Sequence, residues 1–356
     1  MIHRHVMQRI LILCAILIIV FFAGLNRDFL QDSQSAETFP QDTQSVLVIE
    51  ENYREPKQKV RFVGDIMLAR HVERLMDAYG YKYPFQLLPK HATDAYLVGN
   101  FEASIPQEHI TTKDMHFAFS VKSEYVWGLS EYGFTHLNLA NNHSYDFGKS
   151  EFEHTNAILL SASTTPFGSP DNQTSRAVSV IEIENTTIAL IGLYAVVTVP
   201  TDDEIKELIA YASTISDIQI VYVHWGDEYI LTHNNTQEKL AYTLIDAGVE
   251  AVIGHHPHVV QDIEKYKNGL IFYSLGNFIF DQYFSTDVQE GLMLELSLDD
   301  NEGLIFELLP ITSIGSLSVP RLMTQYEKGR FLQSVAKNSD TEISKMVIEG
   351  SLYISL

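Results

Sequence analysis

The chain has 356 residues, of which 46% are hydrophobic, so it carries enough apolar side chains for a large core, and wholesale disorder is excluded. Its formal net charge is −22, from 46 acidic and 24 basic residues, which argues against a nucleic-acid partner, since that needs a basic face. Cys14 is the one cysteine, so no internal disulfide can form.

The first element is apolar. Arg4 and Arg9 precede an unbroken run from Ile10 to Leu25. The run has 16 residues, somewhat fewer than the roughly 20 of a full membrane span. Its end, "VFFAGLNRD", has no small-x-small cleavage site, so an uncleaved signal-anchor over residues 1–25 is favoured over a cleaved signal peptide. The positive residues stand before the run and Asp28 and Asp32 after it. That order predicts a single-pass protein of the cell membrane whose main domain lies outside the cytoplasm. Residues 26–59 repeat a Gln-Asp-Ser/Thr-Gln-Ser theme with few large apolar side chains, which predicts a disordered spacer.

From Val60 apolar runs of strand length alternate with helical spacing. "VRFVGDIML" reads as a strand ending near Gly64, followed by a helix marked by Leu68, Val72, Leu75 and Met76 and stopped by Gly80. "DAYLVGN" is a second strand, "SEYVWGLSEYG" a helix, "FTHLNLANN" a third strand and "FEHTNAILLSAS" a helix. "TTIALIGLYAV", "IQIVYVHWG" and "VEAVIGHH" read as buried strands, with a helix over Leu240, Ala241, Leu244 and Ile245 before the last. "GLIFYSLGNFIF" and "GLMLELSLD" are two more. The alternation predicts an α/β domain over 60–315, its sheets covered by helices, and a less periodic C-terminal extension over 316–356.

Polar residues of the metal-ligating kind cluster at the C-terminal ends of these strands. Asp65 follows "RFVG", Asn100 and Glu102 follow "AYLVG", and Asn141, Asn142, His143 and Asp146 follow "LNLA". His224 and Glu228 follow "IVYV", His255, His256 and His258 follow "AVIG", and Asn277 and Asp281 lie in "SLGNFIFD". Each has an ordinary structural alternative when taken alone. Asp65 would cap a helix starting near Ile66, Asn142 and His143 would make a turn, and His224 would be a core histidine. Together they deliver six segments to one sheet edge, where ligands bind in α/β proteins. Mixed carboxylate, imidazole and amide donors suit Mn²⁺, Fe²⁺ or Zn²⁺, as one ion or two. No CxxC pair, GxSxG elbow or P-loop occurs.

"GDIMLAR", "GNFEASI", "NLANNHSYDFG", "VHWGDEY", "GHHPHVVQ" and "YSLGNFIFD", in this order, resemble the bacterial poly-γ-glutamate capsule-synthesis (CapA-like) family over about Val60 to Pro310. Through that family's kinship with calcineurin-like metallophosphoesterases, the resemblance implies a four-layer α/β/β/α sandwich with metal at the strand ends. It implies metal ligands at Asp65, Glu102, Asn142, His224, His256 and His258. His143 becomes the catalytic acid or base, with Asp146 and Glu228 as further catalytic candidates. Arg70, Asn100, His255 and Asn277 are the candidates for substrate contact. Two positions depart from the phosphoesterase pattern: Met67 replaces a ligand histidine, and Asn100 replaces the metal-bridging aspartate, with Glu102 two residues on. The implied activity is a metal-dependent hydrolase or transferase of capsule or poly-γ-glutamate synthesis or export, acting on a phosphoester or a γ-glutamyl amide. The implied partners are the membrane, other capsule proteins, and an anionic polymer or small substrate. The alternative is a non-catalytic, polymer-binding scaffold of an export machine.

Overall fold

Alternate burial is absent from the first strand, β1 (Val60–Ile66), which is buried at every position but Arg61. A strand buried on both faces belongs to the middle of a covered sheet. The computed structural model describes residues 59–89, 95–112, 117–299 and 303–355. The expected anchor and nearly all of the expected spacer lie outside the described residues, among which no helix is long and apolar enough to cross a membrane.

In chain order, β1 leads to α1 (Arg70–Tyr79), β2 (Tyr96–Phe101), α2 (Val126–Tyr132), β3 (His136–Asn138), α3 (Lys149–Ser161), β4 (Thr165–Phe167) and α4 (Thr174–Ala177). Then come β5 (Val178–Ile183), β6 (Thr186–Tyr194), α5 (Asp202–Ser213), β7 (Ile218–His224), α6 (Asn235–Asp246) and β8 (Ala251–His255). The rest are β9 (Ile263–Tyr266), β10 (Gly269–Phe272), β11 (Asn277–Ile279), β12 (Glu290–Leu298), β13 (Leu304–Thr312), β14 (Arg321–Leu322), α7 (Gln325–Asn338), α8 (Ser344–Glu349) and β15 (Ser351–Ile354). Three helices start where a short polar side chain caps the first turn: Thr201 with Glu204, Asn234 with Gln237, and Thr324 with Glu327 each form a reciprocal capping box.

The strands make two sheets in a mixed α/β fold. The first runs β14-β13-β12-β1-β2-β3-β4, with β11 parallel to β1 and β15 antiparallel to β13; the second runs β5-β6-β7-β8-β10-β9. One core takes Phe62, Val98 and Leu294 from the first sheet together with Ile188, Leu190, Ile220 and Ile253 from the second. A second core joins Val63, Ile66 and Leu97 to Val72, Leu129 and Phe152 of the helices over the first sheet. A third joins Val221 and Val252 to Ile205, Leu208 and Leu244 of the helices over the second. Beyond residue 316, Phe331, Leu332 and Val335 of α7, Val347 of α8 and Leu352 of β15 are buried in the first of these cores.

Two local features set the strand ends. The run "GLIFYSLGNFIF", read as one strand, is two: β10 pairs with β8 in the second sheet, and β11 pairs with β1 in the first. The crossing is made at Ser274–Gly276, where Gly276 has φ +66°, a conformation that favours glycine. Gly64 lets that crossing close on β1, because a Cβ there would fall 1.7 Å from the Gly276 carbonyl oxygen.

Candidate metal centre

Register alone assembles most of the site. Asn277, Asp65, Asn100 and Asn138 are mutual partners across β11, β1, β2 and β3, and so form one row at the end of the first sheet. Tyr194, His224 and His255 form the matching row across β6, β7 and β8. Asp65 lies inside β1 and is fully buried, and α1 begins five residues later with no side-chain cap at Ala69. The helix-cap alternative for Asp65 therefore falls away.

Two ligand triads come together here. One atom each from Asp65, Glu102 and His224 lie within 4.8 Å of one another, as do atoms from Glu102, His256 and His258. All five side chains are buried. Glu102 belongs to both triads, and neither of its carboxylate oxygens has a hydrogen-bond partner; the same is true of His256 Nδ1. The imidazole nitrogens nearest to Glu102 are His258 Nε2 at 3.7 Å and His143 Nε2 at 3.8 Å. A buried carboxylate left with both oxygens unpartnered is costly unless a proton or a cation meets it. The donor set of carboxylate and imidazole matches a divalent transition metal. These residues fit the group that the sequence calls for.

The electrostatics follow. Burial first, and then the Asp65 charge, push the Glu102 carboxyl well above its ordinary range. Burial would raise Asp65 too, but the hydrogen bond and charge of His258, the charge of His255 and the Asn100 amide outweigh it and hold the carboxyl at about 2. Burial and the neighbouring imidazoles push His224 well down and His256 down to about 4, while burial alone dominates for His255, also at about 4. Neutral imidazoles are the metal-binding form.

The surrounding groups orient these atoms. Asn277 Oδ1 lies 3.0 Å from His258 Nδ1, which leaves Nε2 facing Glu102. Holding one ring nitrogen so that the other faces a metal is the usual outer support of a ligand histidine. His224 Nε2 lies 2.7 Å from Asn142 Oδ1 and its Nδ1 lies 3.3 Å from Asn100 Nδ2. The backbone is unusual too: His256 has φ +100° and His258 φ +59°, conformations that non-glycine residues adopt at a cost.

His143 stands at the half-buried edge of the cluster. Its Nδ1 lies 3.0 Å from Asp146 Oδ2, which also accepts the Phe119 N–H at 2.7 Å. Its ring stacks on Phe119 with centroids 3.9 Å apart. The carboxylate fixes the tautomer and leaves Nε2 toward Glu102, as an orienting group does for a general acid or base.

Not every expected residue faces the cleft. Asn100, expected to contact substrate, spends its amide inside the protein: Nδ2 donates to Asp65 Oδ1 at 2.8 Å, and Oδ1 accepts from Asn138 at 3.2 Å and Asn141 at 3.1 Å. His255 lies beneath the cluster, with Nε2 3.0 Å from Asn138 Nδ2. Asn277 donates to Gln282 and to the Val288 carbonyl while holding His258. Glu228 is exposed on the loop after β7, its charge reaching Glu102 and His256. Arg70 is paired with Asp281 and packs over Phe119 and Phe280.

Sequence reasoning missed Asn138, Phe119, Phe280 and Tyr229. Asn138 had a signal, being a strand-end amide in "LNLANN". Phe119 and Phe280 had none, because an aromatic in an apolar run looks like any core residue. Tyr229, with φ +65°, stands at the cleft edge with its ring 6.0 Å from that of His258.

Residues 59–282 match the family described as bacterial capsule synthesis protein PGA_cap. The chain is 31% identical over 326 residues to the capsule biosynthesis protein CapA of Bacillus anthracis, covering 85% of this chain and 79% of that one. It is 31% identical over 310 residues to the PGA biosynthesis protein CapA of Bacillus subtilis, covering 81% and 80%. A probable polyglutamine synthesis accessory protein of Mycobacterium tuberculosis is 24% identical over 295 residues, covering 66% and 77%.

Proposed function

The chain belongs to the bacterial capsule synthesis protein PGA_cap family, and we propose that it is a metal-dependent hydrolase or transferase of capsule or poly-γ-glutamate synthesis or export. The observation that carries the reading is Glu102, fully buried and shared by two ligand triads, with neither oxygen partnered by protein. A scaffold gains nothing from such a group.

In this reading Asp65, Glu102, Asn142, His224, His256 and His258 hold one or two divalent ions, and the fold is the four-layer α/β/β/α sandwich of the metallophosphoesterases. When bound, the metal supplies Lewis-acid polarisation of the substrate and a nucleophilic water at neutral pH. The chain supplies the rest. Asp146 keeps the proton on His143 Nδ1, so His143 Nε2 is the atom that gives or takes a proton at the reacting oxygen or nitrogen. Asn100 holds Asp65 and Asn277 holds His258, while Asn138 braces Asn100 from behind. The buried sheet ends behind them exclude water from all but the outer side.

The substrate is a phosphoester or a γ-glutamyl amide. The segment 1–25 anchors the protein, and the domain works outside the cytoplasm beside other capsule proteins. The test is a panel of phosphoesters and γ-glutamyl peptides given to the chain loaded with Mn²⁺, Fe²⁺ or Zn²⁺. Turnover that disappears in His143→Ala and in chelator supports the reading. A panel with no turnover in any metal, on a chain that binds metal, points to the scaffold instead.

A further inference from the structure

We propose that Arg70 forms an oxyanion subsite beside the cluster, taking a carboxylate or phosphate group that the substrate carries. The inference rests on the metal-dependent reading of the site and adds the charge class of what enters it.

Four observations converge on this side chain. The first is backbone shape. Arg70 starts α1 at φ +52°, a conformation that a β-carbon disfavours, so the backbone is held in a costly shape that aims this residue. The second is its position. The guanidinium carbon lies 4.7 Å from the Phe119 ring centroid and 5.5 Å from that of Phe280. The same two rings pack on the site: Phe119 stacks on His143 at 3.9 Å, and Phe280 lies 4.6 Å from His258. The cation is therefore one ring away from both imidazoles, and its charge acts on Glu102.

The third observation is what the fork leaves open. Nη2 bonds to Asp281, whereas Nε is buried and donates to nothing. A desolvated donor with no partner is rare in a protein and marks a place for a ligand. The side chain still keeps 13% of its surface exposed, so the outside can reach it.

The fourth is charge. The carboxylates of Asp65, Glu102, Asp146 and Glu228 all lie in or around the cleft, on a chain of net charge −22. An anion approaching them is repelled unless cations, the bound metal among them, oppose that field. Arg70 is such a cation, and its planar donors match the two oxygens of a carboxylate or phosphate.

The simpler role for Arg70 is to tie α1 to the segment after β11 through Asp281, which also accepts the His71 N–H at 3.1 Å. Titration calorimetry separates the two. Inorganic phosphate and glutarate are titrated into the manganese-loaded full-length chain as wild type, R70Q, R70K and D281N, with manganese content measured beside each. Expected are unchanged manganese, at least tenfold weaker anion binding in R70Q, an intermediate loss in R70K, and binding within threefold of wild type in D281N. Tighter phosphate than glutarate assigns the subsite to a phosphoryl group, and the reverse to a carboxylate; either supports the subsite. Wild-type affinity in R70Q, an equal loss in D281N, or no anion binding by wild type overturns it. A wild type that takes up no manganese overturns the metal-dependent reading itself, and the subsite with it.

Discussion

Asn100 Nδ2 donates to Asp65 Oδ1 at 2.8 Å across adjacent strands, while Asn100 Oδ1 accepts from two further asparagines. An amide can do both, and a carboxylate can only accept. Asn100 therefore works here as a brace for Asp65. Asn100→Asp would lose the bond to Asp65 and add a carboxylate beside Asp65 and Glu102. We expect the metal-free variant to be destabilised by roughly 2–4 kcal/mol in urea unfolding with chelator. Manganese should restore more stability to it than to wild type. An unchanged midpoint in chelator would show that the brace carries no energy.

Glu102 links the cluster to pH. Its folded carboxyl is raised by burial and by Asp65 above the ordinary value of 4.5. A raised folded value gives stability that is present below the unfolded value and lost as pH rises through the folded one. Metal-free wild type should therefore lose stability as pH climbs from about 4.5 upward, and Glu102→Gln should flatten that part of the profile. The same variant should bind metal worse by more than the roughly 10–100-fold typical of outer-shell changes. Parallel profiles in the two proteins would refute the assignment.

In the proposed mechanism His143 and Asp146 form the proton-transfer pair. Asp146→Asn removes the charge that fixes the tautomer but keeps the stack on Phe119. Hydrolysis of an activated phosphodiester should fall about 10²–10⁴-fold, with metal content unchanged. A rate within threefold of wild type would remove this pair from the mechanism.

Far from the cleft, His136 at the start of β3 is 7% exposed and packs edge-on to Tyr96. Burial lowers it from 6.5 to about 4. The unfolded chain thus takes up a proton that the folded chain refuses between those values, so stability falls as pH drops from 6.5 toward 4. A displacement of that size corresponds to about 3 kcal/mol at most. His136→Gln should remove that much of the acid sensitivity, measured as the difference in unfolding free energy between pH 7 and pH 4.5.

Much of the site was readable because ligand-type residues at strand ends are local in sequence. Parallel strands then carry Asp65, Asn100 and Asn277 into one row without further help. What escaped was non-local. The crossing at Gly276 hides in an unbroken apolar run, so β10 and β11 read as one strand. Phe119 gains its role only when residues 117–121 come to lie beside His143, some two dozen positions away. Asn138 carries a strand-end signal in "LNLANN", but its partner is set only when the second sheet brings His255 against it. Arg70 is a substrate-contact candidate through the family resemblance, but its packing against Phe119 and Phe280 is visible only in the structure.

Metal content shows directly whether the Glu102 cluster holds metal. The purified chain, stripped with chelator and reloaded with Mn²⁺, Fe²⁺ or Zn²⁺, is measured by plasma mass spectrometry beside Glu102→Gln and His256→Ala. Expected are one or two equivalents per chain in wild type and a clear loss in both variants. No metal above background in wild type, or equal loading in all three proteins, would contradict it.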